Sequence, residues 1–207
     1  ILIDLPPEFR LEAMATGLAR VDAVLLTHAH ADHIMGADDL RRFNNLRGER
    51  IDCYANAATI ATMRRVFGYA ERPYTNPDRP SLRLQAIDGP TEVAGVTVRP
   101  IELLHGRLSI FGYRIGRFAY CTDVSAIPEA SRPLLEDLDL LVIDALRYRP
   151  HPAHFSLAEA LDAIEQIGPR RALLTHIAHE ISHEGTSAHL PANVEIAFDG
   201  QRVEVNM

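Results

Sequence analysis

Val24-Leu25-Leu26-Thr27-His28-Ala29-His30-Ala31-Asp32-His33 is a short apolar run that ends in four potential metal ligands within six residues. The apolar run reads as a buried strand, so the ligands sit where a strand gives way to a loop. A sheet fixes residues at such an edge, yet solvent still reaches them, which suits a catalytic metal. His28 and His30 alternate and face the same way in an extended chain. Asp32 and His33 are neighbours and point apart, so they can serve a second ion. Ten histidines in 207 residues can scatter over a surface, and an isolated exposed histidine carries no function. Three histidines and an aspartate spaced His-x-His-x-Asp-His after an apolar strand match metal ligation instead.

Composition bounds the rest. The length fits one domain, residues 1–207, with enough chain to bury a sizeable core. A formal net charge of −7 argues against broad electrostatic binding of nucleic acid. Bound cations would offset that charge locally and let the site attract an anionic substrate. Cys53 and Cys121 lie in strand-like surroundings and read as buried free thiols of a reducing cytoplasm. No apolar run of about eighteen residues exists to span a membrane. The chain opens on Ile1 within strand-like sequence, so it reads as a trimmed piece whose N-terminal strands are missing, and a signal peptide stays open.

Along the chain, Ile1–Asp4 reads as the end of a strand and Glu8–Gly17 as a helix stopped by glycine. After strand Ala23–Leu26, residues Asp32–Leu46 carry helical spacing, which puts Asp32 and His33 in a first turn. Strand Ile51–Ala55 and helix Ala57–Phe67 follow. Gly68–Arg83 is an irregular connection with prolines at 73, 77 and 80, either an active-site loop or a surface excursion. Short strands are expected at Val96–Val98, Ile101–Leu104, Ser109–Ile115 and Phe118–Cys121, with a hairpin turn at Gly116-Arg117. A helix at Arg132–Asp137 and a strand at Leu140–Ile143 come next. Ser156 and Glu159 form a capping box for a helix reaching Ile167. Strand Ala172–Leu174 and strands Val194–Ala197 and Val203–Val205, the last two joined at Asp199-Gly200, close the chain.

Three more candidate ligands sit where apolar strands end. His105 follows Ile101–Leu104, Asp123 follows Tyr120-Cys121-Thr122, and His176 follows Leu173-Leu174-Thr175. Each alone is as readily a hydrogen-bonded histidine or a turn-forming aspartate. Together they repeat one placement, and ligands gathered from strand ends at one sheet edge are how α/β layers build sites.

His-x-His-x-Asp-His at 28–33, His105, the Thr122-Asp123 pair and His176 resemble the metallo-β-lactamase superfamily along nearly the whole chain. Within it the chain is most similar to the phosphoribosyl 1,2-cyclic phosphate phosphodiesterases of phosphonate breakdown. The segments 3–10, 28–36, 151–156 and 174–179 carry that narrower likeness. The resemblance implies an αββα four-layer sandwich and two divalent ions, zinc or manganese. It assigns His28, His30 and His105 to one ion, Asp32, His33 and His176 to the other, and Asp123 to both. A hydroxide bridging the ions is then expected to attack phosphorus in a cyclic or small phosphodiester. His154, in the His151-Pro-Ala-His154 element, is the expected proton donor to the leaving oxygen, and Asp32 is counted with it as catalytic. A His154 that merely caps or orients the following helix is the alternative. Arg147, Tyr148 and Arg149 are candidate substrate contacts or a plain polar loop. His179 matches a structural-zinc ligand whose cysteine partners would precede Ile1; otherwise it is a loop residue.

Other readings stay open at this level. A thioester, lactone or β-lactam hydrolase uses the same metal set on a carbonyl, and RNA processing uses it on a polymer, which the acidic balance and the lack of a basic arm disfavour. An inactive metal-binding scaffold would have shed ligands, and all seven are present. The expected partner is a small phosphodiester, without membrane; a homodimer is left open.

Overall fold

The computed structural model describes residues 1–75 and 78–205, so Asn76 and Pro77 of the Gly68–Arg83 connection lie outside the described residues. The chain divides into two compact units, Ile1–Val96 and Thr97–Met207.

The first unit is built on a wholly parallel sheet of four strands in sequence order: β1 (Leu2–Ile3), β2 (Ala23–Leu25), β3 (Ile51–Ala55) and β4 (Leu82–Ala86). Parallel strands need covered crossovers, and helices α1 (Phe9–Ala15), α2 (Ala31–Ile34), α3 (Arg41–Arg47) and α4 (Ala57–Phe67) supply them. Val24, Leu26, Ile51, Cys53, Leu82 and Leu84 meet Phe9, Ile34, Leu40, Ile60, Met63 and Phe67 in one apolar core. Each such side chain contributes roughly 1.5–3 kcal/mol by burial. Asn56 caps α4, its side chain accepting from the Thr59 N–H. A short strand, β5 (Thr91–Val93), follows β4.

The second unit holds β6 (Val96–His105), β7 (Leu108–Ile115), β8 (Phe118–Cys121), β9 (Leu140–Asp144), β10 (Arg171–Thr175) and β11 (Val194–Ile196), in the order β11-β10-β9-β8-β7-β6. Pairing is antiparallel through β6, β7 and β8, then parallel from β8 to β11. Helix α5 (Leu157–Ile167) and the short α6 (His183–Ser187) complete it. Its own core joins Ile101, Leu103, Ile110, Leu141, Ile143, Ala160, Ile164 and Leu174. The capping box at Ser156 is present in full, and α5 ends at Gly168 with φ 66°.

Five expectations need correction. The helix expected over Asp32–Leu46 is three pieces, α2, a 3₁₀ stretch at Met35–Leu40, and α3. Close docking is the cause: Gly36 N–H donates to the Leu5 carbonyl at 2.9 Å, and a Cβ at Gly36 would stand 2.2 Å from the Pro6 carbonyl oxygen. The irregular connection ends earlier than expected, because Leu82 and Arg83 already pair with Ile51 and Asp52. Val96–Val98 and Ile101–Leu104 are one strand, with Pro100 inside it opposite Tyr113. Residues 203–205 form no strand. There the chain turns back at Phe198–Gln201, where Gln201 N–H donates to the Phe198 carbonyl, and two half-buried valines bury too little to hold another edge. The segment Arg132–Asp137 tightens into a 3₁₀ stretch, Glu129–Leu135, around Pro133.

Candidate functional site

In the first unit the ligand-rich loop leaves β2 and runs directly into α2. Leu26 N–H still donates to the Tyr54 carbonyl, so Thr27 and His28 start from a backbone locked to the sheet. His30 is the N-cap of α2, and Asp32 lies in its first turn. His28 Nε2 stands 2.9 Å from His30 Nδ1, and His33 Nε2 stands 3.4 Å from an Asp32 carboxylate oxygen. Beneath them Asp4, at the end of β1, gathers the loop. It accepts from the Thr27 N–H and Thr27 Oγ1, both at 2.7 Å, and from His33 Nδ1–H at 2.7 Å. That last bond fixes the His33 ring through Nδ1, the way a metal-binding imidazole is usually oriented by its second nitrogen.

In the second unit the same placement recurs at four strand ends. His105 closes β6, Asp123 follows β8, Asp144 closes β9 and His176 follows β10. The ligand atoms of His105, Asp123 and His154 lie within 4.8 Å of one another, as do those of Asp144, His154 and His176. His105 Nδ1–H donates to the Ala153 carbonyl at 2.7 Å, which fixes the tautomer and orientation of its ring. Thr122 Oγ1 donates to Asp123 at 2.8 Å, and His176 Nε2 stands 3.4 Å from the other Asp123 oxygen. The His154 ring stacks on His176 at 4.9 Å and meets His105 edge-on at 4.6 Å.

His154 Nδ1 is 2.9 Å from Asp144 Oδ2, which fixes the orientation of the ring. The loop that carries it therefore orients two imidazoles, through the Ala153 carbonyl and through its own His154. His151 braces the loop, its Nδ1 accepting from the Ala153 N–H at 3.3 Å. Burial and the neighbouring His154 hold its pKa below the ordinary histidine value.

Electrostatics set both clusters apart from a solvated surface. Burial pushes the Asp144 carboxyl up to about 8, with Asp123 adding to the rise and His176 opposing it. Burial also raises Asp4, against the hydrogen bonds from His33 and Thr27. Asp4, Asp123 and His176 all have positive φ, at 62°, 55° and 57°, where a side chain other than glycine is strained. Three of the five such non-glycine residues among the described residues thus belong to the two clusters.

Asp4 and Asp144 received no role from the sequence, although both obey the rule that located the others: a polar residue directly after an apolar strand. Arg147, Tyr148 and Arg149 hold one another and α6 through hydrogen bonds. Arg147 donates to the carbonyls of Arg149 and Pro150, and Tyr148 bonds Thr186 in α6 at 2.5 Å. His179 is exposed in a turn and joins none of the ligand groups among the described residues. Cys53 and Cys121 are buried and free, with the Cys121 thiol pushed up to about 12 by burial. Among the described residues no helix is long and apolar enough to cross a membrane.

The donor set, imidazole nitrogen and carboxylate oxygen without thiolate, fits a borderline divalent ion. The family model of the β-lactamase superfamily domain matches residues 1–177. The chain belongs to the metallo-β-lactamase superfamily. It has that superfamily's α/β fold. Its subgroup is the PhnP-like one: a diphosphatase of the PhnP family superposes with a TM-score of 0.92 at 36% identity, over 100% of this chain and 80% of that one. A protein of Porphyromonas gingivalis named octanoyltransferase is 39% identical over 204 residues, 97% of this chain and 41% of its own length. A UPF0173 metal-dependent hydrolase of Pyrococcus horikoshii is 26% identical over 167 residues, 75% of this chain and 66% of its own. The chain thus spans about two fifths of the Porphyromonas protein and just under two thirds of the Pyrococcus one.

Proposed function

We propose that this metallo-β-lactamase superfamily member is a dinuclear phosphodiesterase that opens a cyclic or small phosphodiester. In this reading the first unit contributes His28, His30, Asp32 and His33 as ligands, and the second contributes His105, Asp123 and His176. Two zinc or manganese ions, when bound, supply a hydroxide at neutral pH and neutralise charge on the phosphoryl oxygens.

The observation that carries the reading is the His154–Asp144 pair. An alkoxide leaving a phosphodiester is a strong base and needs a proton as the bond breaks. His154 presents Nε2 while Asp144 holds Nδ1, the orientation a general acid requires. Carbonyl substrates whose leaving group is a thiolate need far less such help, which makes the acid less useful to a thioesterase.

A second reading rests on the relative named as a diphosphatase. A phosphate leaving group is a weak base, so diphosphate cleavage would depend little on His154. Acyl transfer, the activity in the Porphyromonas protein's name, is not carried over, because this chain matches only 41% of that protein's length; in this chain both thiols are buried. Those buried thiols also fit our reading of a cytoplasmic enzyme.

The test is a hydrolysis panel on metal-analysed protein, with a ribose 1,2-cyclic phosphate, a nitrophenyl phosphodiester, a nucleoside diphosphate, a thioester and a β-lactam. Chelation should abolish turnover of the phosphodiesters, and zinc or manganese should restore it. Preference for the diphosphate would install the second reading, and turnover of carbonyl substrates alone would remove both.

A further inference from the structure

Away from both clusters, the first unit carries a groove of 590 Å³ between α1 and α3, within the size range of small-molecule sites. Its floor is the pair Phe9 and Phe43, both buried, with ring centroids 5.8 Å apart. Ala13, Leu18, Met14 and Leu46 extend the apolar lining. Met14 is 71% exposed and Leu46 57%, unusually open for side chains that could have turned inward.

The remaining lining is charged and of one dominant sign. Arg10, Arg41 and Arg42 all line the groove and are exposed, against a single half-buried carboxylate, Asp39. In a chain of net charge −7 this is a local reversal. Arg41 sits in the field of the Tyr69–Asp38 pair, whereas Arg10 and Arg42 have no hydrogen-bond or ion-pair partner among the described residues. Free guanidinium forks beside an aromatic floor match a ligand with one apolar and one anionic end, because a planar guanidinium binds carboxylate or phosphate oxygens in pairs.

We infer that the α1–α3 groove binds a single-chain anionic amphiphile, its acyl tail on Phe9 and Phe43 and its carboxylate or phosphate head on Arg10 and Arg42. The size of the groove suits one medium-length chain. Charge complementarity is what selects this occupant over a neutral apolar one. None of these residues belongs to the hydrolytic clusters, so occupancy and turnover can be separated.

The probes are sodium decanoate and decyl phosphate below their micelle concentrations, with decanol as the neutral control, titrated into the purified protein by calorimetry. Saturable binding of either anion, at least tenfold tighter than decanol, is expected. Decanoate binding alone would assign a fatty-acid head and decyl phosphate binding alone a phosphate head; either supports the inference. Arg10→Gln with Arg42→Gln should weaken anion binding about tenfold, one charge-assisted contact's worth, and leave decanol unchanged. Leu46→Glu should weaken all three. Hydrolytic turnover should stay at the wild-type level in both variants, which also certifies their fold. The inference is overturned if neither anion binds at millimolar concentration, if the arginine substitutions leave affinity unchanged, or if sedimentation shows the groove closed by a second copy of the chain.

Discussion

His154 Nδ1 lies 2.9 Å from Asp144 Oδ2, and the other oxygen of that buried carboxylate lies 3.9 Å from His176 Nδ1. One carboxylate thus faces the inner nitrogens of two stacked imidazoles, one read as a proton donor and one as a metal ligand. Asp144→Asn keeps the shape but replaces the carboxyl oxygen that holds His154 Nδ1. We expect kcat on an alkyl phosphodiester to fall by about 10²-fold. The fall on a nitrophenyl ester, whose leaving group needs no proton, should be much smaller. Metal content measured alongside separates the two roles: equal losses on both substrates with lost metal would mean that Asp144 serves only His176.

The same burial makes a pH prediction for metal-free protein. Asp144 is pushed up to about 8, and Asp4 is raised by burial as well. In the unfolded chain both would titrate near about 4. Between those values the native chain holds protons that the unfolded chain has released, so stability falls as pH rises through the window. Urea midpoints of metal-stripped protein should therefore be lower at about pH 8 than at about pH 5. Asp144→Asn should flatten the difference. A midpoint that climbs with pH in the wild type would contradict the argument.

Gly36 is a steric requirement. A Cβ there would stand 2.2 Å from the Pro6 carbonyl oxygen and 2.7 Å from Phe9 Cβ, distances that backbone must yield to. Gly36→Ala should cost about 2 kcal/mol or more and lower Tm by roughly 4–8 °C in a thermal melt. Turnover should fall with it, because the Leu5 N–H that bonds the His33 carbonyl at 2.7 Å sits in the displaced loop. A melt unchanged within a degree would show that the Pro6 loop moves freely.

What was legible in the sequence was whatever rests on local pattern. Apolar runs located β2, β3, β9 and β10, and the Ser156–Glu159 spacing located the start of α5. The candidate ligands were legible because each lies at or just beyond the end of an apolar strand. Asp4 and Asp144 follow the same rule but lack a histidine's salience, and their role rests on partners 29 and 10 residues away, His33 and His154. The break after α2 was hidden for a related reason. Helical spacing runs unbroken through Asp32–Leu46, and only the distant Pro6 carbonyl makes the chain tighten at Gly36. The groove between α1 and α3 was invisible too, since Phe9 and Phe43 are 34 positions apart.

The cap of α5 gives the last prediction. Ser156 Oγ accepts from the Glu159 N–H at 3.3 Å, and Glu159 reaches back to the Ser156 N–H at 2.8 Å. The Ser156 hydroxyl also donates to the Glu159 carboxylate, which lowers that carboxyl's pKa. Ser156→Ala removes two of these three bonds and should cost about 1 kcal/mol, seen as a fall in Tm of roughly 2–4 °C. Ser156→Thr should recover most of the loss, since its hydroxyl can cap in the same way. Ser156 lies only two residues after His154, so the variant also asks whether α5 positions the donor. If it does, kcat on the alkyl ester falls more than KM changes, and Thr restores both stability and rate. A rate unchanged in Ser156→Ala would assign the positioning of His154 to Asp144 alone.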